Sequence, residues 1–414
     1  MLNLRPNYRW KFYLLNAANS SIAVVGAVSF VFYIKFATLD IITMMTVIPF
    51  GLATILDIPL SALADSTIKV VVIRIGVFLV FVGELLHGIT PNLALLASGV
   101  FLGILGLTLW KGPDTAICKQ TIYLREGKDA FEVAWKDFTT KSSLITQFVQ
   151  IVCVFLGIGL YAINPRLPFL VAAGIMFIGF LVTFYIQEVP IAYTEEKPPL
   201  TLAQIIHSSF IVLTDTKLRR LIIGSVVVLT VGQVYGAGVL MQSILVSQGF
   251  EETGLALVFA LIYTGQFAAF FLLQDWLKFK LTYKQAFMIA VALGTVGFLM
   301  TLSHSPLIGI PGMVGIGFST NMIYLIFHWA IFPTLDERSL STSESMFDQM
   351  AVLPSVVLAF IVGFMLAGGM LPLVLIICAA SIFVAIFIVY GYDWSQLKQV
   401  KADDPISDVL LKEV

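Results

Sequence analysis

The sequence predicts an all-α membrane protein in which twelve spanning helices form two pseudo-symmetric bundles of six. The first observation is composition: 59% of the 414 residues are AVILMFWYC, 12% are charged, and the mean hydropathy is +0.96. A soluble domain is about 45–50% apolar and about 25% charged, so this composition suits lipid rather than water. The second is a series of apolar runs long enough to cross a bilayer, and the third is a polar stretch that divides them six and six.

Each predicted helix satisfies the same length condition. The hydrocarbon layer is about 30 Å thick, so a helix needs about 20 mostly apolar residues to cross it. The runs that meet this condition are 12–34, 41–64, 70–91, 94–116, 142–163, 167–187, 220–244, 254–274, 284–303, 307–331, 349–367 and 371–392. The first run has no small-residue cleavage pattern, so we expect a retained helix rather than a signal peptide.

The positive charges predict the orientation of these helices. All but three of the 24 lysines and arginines fall in segments on one side of the predicted membrane. The exceptions are Lys35 and Arg166 on the other side and Lys111 within a span. Because cytoplasmic loops are enriched in Lys and Arg, we expect both termini to lie in the cytoplasm.

The longest polar interruption separates two halves of the chain. We predict an N-terminal six-helix bundle over 1–187, a cytoplasmic linker with an amphipathic segment over 188–219, a C-terminal bundle over 220–392 and a cytoplasmic tail over 393–414. The stretch LADSTIK after the second span has a counterpart, LQDWLKFK, after the eighth, which pairs Asp65 with Asp275. Such an echo is typical of membrane proteins built from internal repeats.

Composition and motifs also exclude several classes of function. A net charge of −1 without a stripe of Lys and Arg excludes nucleic acid as a partner. Three cysteines are too few for a disulfide scaffold. The sequence contains no metal-ligand cluster, phosphate-binding loop or pair of catalytic carboxylates, so we expect no enzyme activity, no metal and no cofactor.

Two stretches resemble the major facilitator superfamily of membrane transporters. LDIPLSALADSTIKVVVIRIG (56–76) resembles the loop between helices two and three of that family, and the residues that fit are Asp57, Ile58, Pro59, Leu63, Ala64, Asp65 and Lys69. Residues 111–138 resemble the fourth-helix exit and following loop of a bacterial subgroup, with Gly112, Asp114, Ala116, Gly127 and Phe131 in step. With the number of spans and the central linker, the resemblance covers nearly the whole chain and implies the family's two-bundle fold.

The resemblance implies a cytoplasmic latch between the halves. Asp65 would face the N-terminus of the eleventh helix, near Asp348, where a helix dipole stabilises a carboxylate. Ser66 and Ile68 stand where the family has Arg and Gly, so we expect a rewired latch. The predicted gating residues are Asp57, Asp65, Lys69, Arg74 and Asp275.

Two pairs of ionisable residues within the spans are candidates for proton coupling. Glu84 and His87 lie three residues apart on one helix face, and a carboxylate beside an imidazole in a low-dielectric site has coupled protonation. The alternative is a hydrated pair near the end of the third span. Lys111 and Asp114 have the same spacing in the fourth span. They could bind an anionic substrate or form an ion pair, and the alternative is a membrane-edge position beside an interfacial Trp110.

Uncharged polar residues predict where a substrate binds. The resemblance implies that helices one, four, seven and ten line a central cavity. In this sequence they carry Asn16, Asn19, Trp110, Gln233, Tyr235, Gln242, Asn321, Tyr324 and His328. Amides and phenols both donate and accept hydrogen bonds, which suits a substrate with several hydroxyl, amide or carbonyl groups. The alternative for each residue is hydrogen bonding between helices, worth about 0.6 kcal/mol.

These observations predict a secondary active transporter that moves a small organic molecule by alternating access. The resembled bacterial subgroup contains many exporters, which implies proton-coupled efflux of a drug or metabolite across a bacterial inner membrane. The alternatives are an uptake symporter or facilitator and a non-transporting receptor or scaffold on the same fold. We expect a monomer whose partners are the substrate, protons and membrane lipid.

Overall fold

The computed structural model is helical in each of the longer stretches of chain that it describes. It describes residues 8–26, 28–33, 35–37, 39–66, 68–188, 203–204, 207, 219–236, 240, 244, 263, 282–303, 305–326, 340–392 and 394. In these residues the helices are joined by turns and short connections, and none of them forms a β-strand. The predicted all-α class is confirmed.

Seven helical stretches in the described ranges are long and apolar enough to cross a membrane. They are Lys69–Ile89, Leu93–Gly127, Val133–Ile163, Tyr283–Thr301, Pro306–Ile326, Ser345–Leu366 and Leu371–Tyr390. Leu167–Thr183 is a shorter apolar helix. Each of these overlaps a predicted span. The predicted span 254–274 lies outside the described residues apart from Tyr263.

The chain divides into two compact units, each of which is described by itself. The first unit comprises Met1–Ile206 together with Glu337–Ser345, and the second comprises His207–Asp336 and Met346–Val414. The predicted bundle and linker boundaries stay predictions, because residues 188–219 lie mostly outside the described part of the chain.

The first unit contains the helices of the predicted spans one to six. The described ones are α1 (Trp10–Ser20), α2 (Ala23–Gly26), α3 (Ser29–Tyr33), α4 (Leu39–Ser66), α5 (Lys69–Ile89), α6 (Leu93–Trp110), α7 (Pro113–Ile163) and α8 (Leu167–Thr183). Three short helices, α1 to α3, therefore occupy the predicted first span over 12–34, which is interrupted rather than a single helix. Ser20 Oγ donates to the carbonyl of Asn16 and Ser21 Oγ to that of Ala18. Serine hydroxyls that bond back to the preceding turn often bend helices, and these two bonds lie at the first break.

The fourth and fifth spans meet in a long helical segment. α6 ends at Trp110, and the chain turns at Lys111 and Gly112, whose φ is 81°. α7 then runs over 51 residues but breaks at Gly127, where φ is 77° and ψ is 168°. Glycine adopts such angles without steric cost. The connection between these two predicted spans is therefore helical on both sides of a glycine break.

α5 and α6 approach each other closely at two glycines. A Cβ atom on Gly76 would lie 2.7 Å from the backbone oxygen of Gly106, and a Cβ on Gly106 would lie 2.6 Å from that of Gly76. Small residues allow such contact between helix backbones in a membrane, where packing drives association. On the same helix, a Cβ on Gly103 would meet no atom within 4 Å. The close approach therefore requires Gly76 and Gly106.

The second unit repeats this glycine contact between its own helices. Its described helices are α9 (Arg219–Gly236), α10 (Tyr283–Thr301), α11 (Pro306–Ile326) and α13 (Leu371–Tyr390), and α12 (Leu340–Ala367) continues into it from Met346. A Cβ on Gly297 of α10 or on Gly312 of α11 would lie 2.6 Å from the backbone oxygen of the other residue. Spans three and four in one half and nine and ten in the other thus pack through the same kind of contact.

Candidate functional site

Asp65, predicted to be a latch residue, is buried and hydrogen-bonded in the first unit. Its Oδ2 accepts hydrogen bonds from the backbone N–H and the hydroxyl of Thr342, at 2.9 and 2.8 Å. Thr342 lies in the first turn of α12, where backbone N–H groups have no partner within the helix and favour a negative charge. α12 begins at Leu340, about two turns before the predicted start near Asp348.

Lys69 balances the charge of Asp65. Its Nζ, at the start of α5, lies 3.3 Å from Oδ1 of Asp65 near the end of α4, and both side chains are at most 1% exposed. Among the described residues, the ammonium group makes this ion pair without a further hydrogen bond of good geometry. A buried charge depends on its partner, because water cannot solvate it once the partner is removed.

The start of α5 is held beside this ion pair. The N–H of Val70, one of the groups that an α-helix leaves without a partner at its N-terminus, donates to Glu188 Oε2 at 2.9 Å. Arg74, also predicted to take part in gating, instead places its guanidinium carbon 4.8 Å from the centre of the Phe184 ring. The structure therefore gives Arg74 a cation–π contact and gives Lys69 the contact with Asp65.

A second polar contact joins α4 to α12 at the level of Asp57. The hydroxyls of Ser61 and Ser345 lie 2.5 Å apart, and Ser345 also donates to Asp57 Oδ1 at 3.4 Å. All three residues are buried. Ser61 stands where the resembled family pattern has Gly, so the contact with Ser345 depends on a hydroxyl that the pattern lacks. Asp57 and Asp65 each accept a hydrogen bond from a hydroxyl on the first turns of α12.

The Glu84–His87 pair is buried inside the first unit. His87 Nδ1 lies 3.4 Å from Glu84 Oε2, and the two residues are 4% and 7% exposed. This burial does not fit the alternative of a hydrated pair at the surface. At this distance the Nδ1–H tautomer of His87 can donate a long hydrogen bond to the Glu84 carboxylate.

Aromatic rings and a glycine enclose the imidazole. The ring centroids of Tyr33 and Phe169 lie 5.7 and 5.5 Å from that of His87. A Cβ on Gly99 would lie 2.7 Å from His87 Nε2, and this nitrogen has no hydrogen-bond partner among the described residues. The nearby cation Arg166 donates to the carbonyl of Thr90 at the end of α5. The pair therefore lies in a mainly apolar pocket.

Replacing Gly99 with alanine tests whether this pocket is as tight as the structure indicates. The added methyl group would lie 2.9 Å from the backbone oxygen of Gly83 and within 2.7 Å of His87, so the ring must move. We expect a loss of about 1–3 kcal/mol of stability, the usual cost of overpacking, measured as a lower unfolding temperature in detergent. Gly174→Ala is the control, because its Cβ would meet no atom within 4 Å. Equal unfolding temperatures for the two variants would contradict the pocket.

Lys111 and Asp114, for which an ion pair was one of the alternatives, lie in the turn and the helix start between the fourth and fifth spans. Lys111 is exposed in the turn after α6, and Asp114 lies in the first turn of α7, where its Oδ1 accepts from the N–H of Thr115 at 2.7 Å. Within the described ranges, no ion pair at 4 Å or less joins them. Trp110 is 2% exposed, which does not fit the alternative of an interfacial residue.

A charged network at the start of α1 was not predicted from the sequence. Arg9 pairs with Glu126 at 2.6 Å and with Asp137 at 3.2 Å, which lie on opposite sides of the break at Gly127. Tyr8 also donates to Glu126 Oε1 at 2.8 Å. Burial lowers the pKa of Arg9, but hydrogen bonds with Tyr8 and Glu126 outweigh it and raise the pKa above its ordinary value. The network ties α1 to both parts of α7.

The predicted substrate residues lie partly in each unit. Asn16 Nδ2 donates to Ser142 Oγ at 2.5 Å, and Asn19 is partly buried on the same helix. In the second unit Gln233 is exposed on α9, Asn321 is partly buried on α11, and Tyr324 is exposed on α11. Asp275, Gln242 and His328 lie outside the described residues, as does the side chain of Tyr235.

Polar residues on α7 were missed because only helices one, four, seven and ten were considered. Ser142 is the partner of Asn16, and Gln147 and Gln150 follow it on the fifth span. The spacing of Gln147 and Gln150 in the sequence could have identified them. Two amides three residues apart in an otherwise apolar run lie on one helix face.

Sequence comparison finds no family model that matches and no similar curated protein. Solved structures do match. The human organic anion transporter MFSD10 has a TM-score of 0.72 at 12% identity over 93% of this chain and 100% of its own. FucP, a major facilitator superfamily transporter in the outward conformation, has a TM-score of 0.68 at 16% identity over 93% and 97%. A bacterial homologue of the iron transporter ferroportin, outward-facing with soaked iron, has a TM-score of 0.68 at 13% identity over 94% and 98%.

These likenesses establish the fold. The chain has the fold of the major facilitator superfamily, as the two resembling stretches predicted. Identities of 12–16% carry the comparison no further than the fold, because one fold serves many substrates.

Proposed function

We propose that this protein is a secondary active transporter that couples the movement of a small organic molecule to protons by alternating access. The fold supports transport, since the similar solved structures are transporters with different substrates. The observation that carries proton coupling is the buried Glu84–His87 pair. An ionisable pair inside a membrane-spanning unit is costly and is a functional-site hypothesis by default.

The pair supplies a site that can change its charge in a buried setting. With Glu84 ionised and His87 neutral, the pair carries one negative charge. Binding one proton gives either an imidazolium facing a carboxylate or two neutral groups, and both arrangements have no net charge. We propose that the pair binds one proton at one stage of transport and releases it at another.

The contacts of α4 with α12 are the proposed gate. Asp65 with Thr342, and Asp57 with Ser345 and Ser61, would form in one conformation and separate in the other. Lys69 would keep the Asp65 carboxylate paired when Thr342 leaves. Arg74 acts outside this contact through Phe184, and Asp275 is the proposed counterpart of Asp65 in the second half.

The remaining parts of the proposal follow from the sequence. Efflux of a drug or metabolite is the proposed direction, supported by the resemblance of 111–138 to a subgroup rich in exporters. The strong bias of positive charge supports cytoplasmic termini, and the resemblance to a bacterial subgroup supports a bacterial inner membrane. The substrate would contact the polar side chains of both halves, and the transporter would work as a monomer. The proposed substrate residues are Asn16, Asn19, Trp110, Gln233, Tyr235, Gln242, Asn321, Tyr324 and His328.

Glu84→Gln tests proton coupling. Purified protein is reconstituted in liposomes with a pH-sensitive dye inside, and drugs, nucleosides, sugars and organic anions are added in turn. We expect at least one compound to drive a pH change with the wild-type protein. The amide cannot ionise, so the variant should lose the proton flux, by at least about tenfold, while it still exchanges labelled substrate across the membrane.

Glu195→Gln, in the predicted linker, removes a carboxylate elsewhere and should keep the flux. A Glu84→Gln variant with undiminished proton flux would refute the role of the pair. The sign of the pH change, with the substrate on a known side, separates antiport from symport. If no compound moves across the membrane with any variant, the receptor or scaffold alternative replaces transport.

A further inference from the structure

The first span is interrupted where the fifth span faces it. After α1 ends at Ser20, the N–H groups of Ile22 and Val24 bond to the carbonyls of Asn19 and Ser21, at 3.2 and 2.9 Å. These bonds join residues three apart, as in a 3₁₀-helix. A 3₁₀ stretch inside a longer helix often marks a functional position or a hinge.

α7 contacts the first span on both sides of this interruption. Before it, Asn16 donates to Ser142 Oγ at 2.5 Å. After it, the backbones approach so closely that a Cβ on Gly157 would clash with the backbone oxygen of Val24. The part of α7 between Ser142 and Gly157 therefore runs past the interruption in the first span.

Two glutamines lie on that part of α7 with unused acceptors. Gln147 is 7% exposed, and the Oε1 atoms of both Gln147 and Gln150 are buried with no hydrogen-bond partner in the described part of the chain. Residues three apart on a helix share a face, so the two carboxamides form one polar patch. A buried acceptor left unsatisfied is costly, and the great majority of such groups have a partner.

We propose that Gln147 and Gln150 form a substrate subsite that accepts hydrogen bonds from hydroxyl or amino groups. This inference rests on the proposed transport function and specifies the substrate class. The unpartnered Oε1 atoms accept hydrogen bonds, and the NH2 group of each carboxamide can also donate to a hydroxyl oxygen. Asn16, Ser142 and the two glutamines carry no charge, so the site suits a neutral or amino-bearing molecule with several donors rather than an organic anion.

The first test needs no ligand. Gln147→Met and Gln150→Met keep the side-chain length and remove the unsatisfied oxygen. If the oxygens are reserved for a ligand, each variant should unfold at a higher temperature in detergent than the wild type, by about 2–4 °C. Gln285→Met is the matched control: Gln285 Oε1 accepts from the N–H of Thr282 at 2.9 Å in a complete capping box, so this variant should unfold at a lower temperature. A lower unfolding temperature for both Gln147→Met and Gln150→Met would overturn the proposal.

The second test uses probe pairs in which one member has hydroxyl or amino donors and the other has these groups methylated. They are uridine and fully O-methylated uridine, sorbitol and fully O-methylated sorbitol, and benzylamine and benzyltrimethylammonium. We expect the donor-bearing member of at least one pair to raise the unfolding temperature of the wild type, and the methylated member to have no effect. The shift should disappear in Gln147→Met and Gln150→Met.

A methylated member that stabilises equally, or a shift that persists in both variants, would overturn the subsite. If no probe changes the unfolding temperature, the unfolding temperatures of Gln147→Met and Gln150→Met without ligand decide whether the subsite exists. Failure of the subsite is distinguishable from failure of transport, because the proton flux that depends on Glu84 is measured separately. If proton coupling is intact and the Gln147 and Gln150 variants behave like the wild type, the transport function stands and only the subsite is refuted.

Discussion

Asp65→Ala is expected to be among the most destabilising single substitutions in the first unit. It removes the acceptor of both Thr342 hydrogen bonds and strands the ammonium group of Lys69, whose side chain is 1% exposed. Breaking a buried ion pair by removing one partner costs about 3–5 kcal/mol, because the remaining charge has neither water nor a counter-ion. We expect a large fall in unfolding temperature in detergent.

The double variant Asp65→Ala/Lys69→Met isolates the stranded charge. It removes both charges and keeps a long side chain at position 69, so it should recover most of the stability lost in Asp65→Ala. If the double variant is as unstable as the single one, the Thr342 contacts rather than the ion pair account for the loss. Asp65→Asn, which keeps the shape without the charge, should slow transport turnover and leave substrate affinity nearly intact. A normal turnover rate would remove Asp65 from the gate.

Gly106→Ala is expected to force α5 and α6 apart. The new Cβ would lie 2.6 Å from the backbone oxygen of Gly76 and 2.8 Å from the backbone nitrogen of Val80, and backbone atoms cannot yield as a flexible side chain can. We expect a loss of about 1–3 kcal/mol, measured by thermal or chemical unfolding in detergent. The opposite change is expected at Gly103, where alanine meets open space and its higher helix propensity stabilises by up to about 1 kcal/mol.

The second unit offers an internal replicate of this experiment. Gly312→Ala would place a Cβ 2.6 Å from the backbone oxygen of Gly297, so it should destabilise to a similar degree. A Gly106→Ala variant as stable as Gly103→Ala would show that the helices separate at little cost. The same outcome at Gly312 would extend that conclusion to the second unit.

The general fold could be predicted because lipid imposes simple requirements on a sequence. Run length and the absence of charge are enough to identify a spanning helix such as Lys69–Ile89. Hydropathy does not reveal whether a helix is continuous, because it records the polarity of side chains and not the backbone hydrogen bonds that change between α1 and α2. For that reason the break within 12–34 was missed.

The candidate site could be predicted only where its partners are close in sequence or belong to a family pattern. Glu84 and His87 share a helix face, so their spacing alone brings them together. Asp65 could be assigned to a helix N-terminus, but the choice of Thr342 depends on α12 starting at Leu340. Arg9 lies more than a hundred residues along the chain from Glu126 and Asp137, and no local sequence pattern predicts contacts between residues so far apart.

The ion pair between Lys69 and Asp65 has an electrical consequence. The two residues are four apart in the chain and their charged atoms lie 3.3 Å apart, so they would stay together if Thr342 left the carboxylate. Separation of Thr342 then breaks hydrogen bonds to a neutral pair and moves no net charge. A membrane potential does work only on charge that moves through its field, about 2.3 kcal/mol for each elementary charge per 100 mV. Opening of this contact would therefore be insensitive to voltage, and any voltage dependence of transport would come from the proton or from a charged substrate.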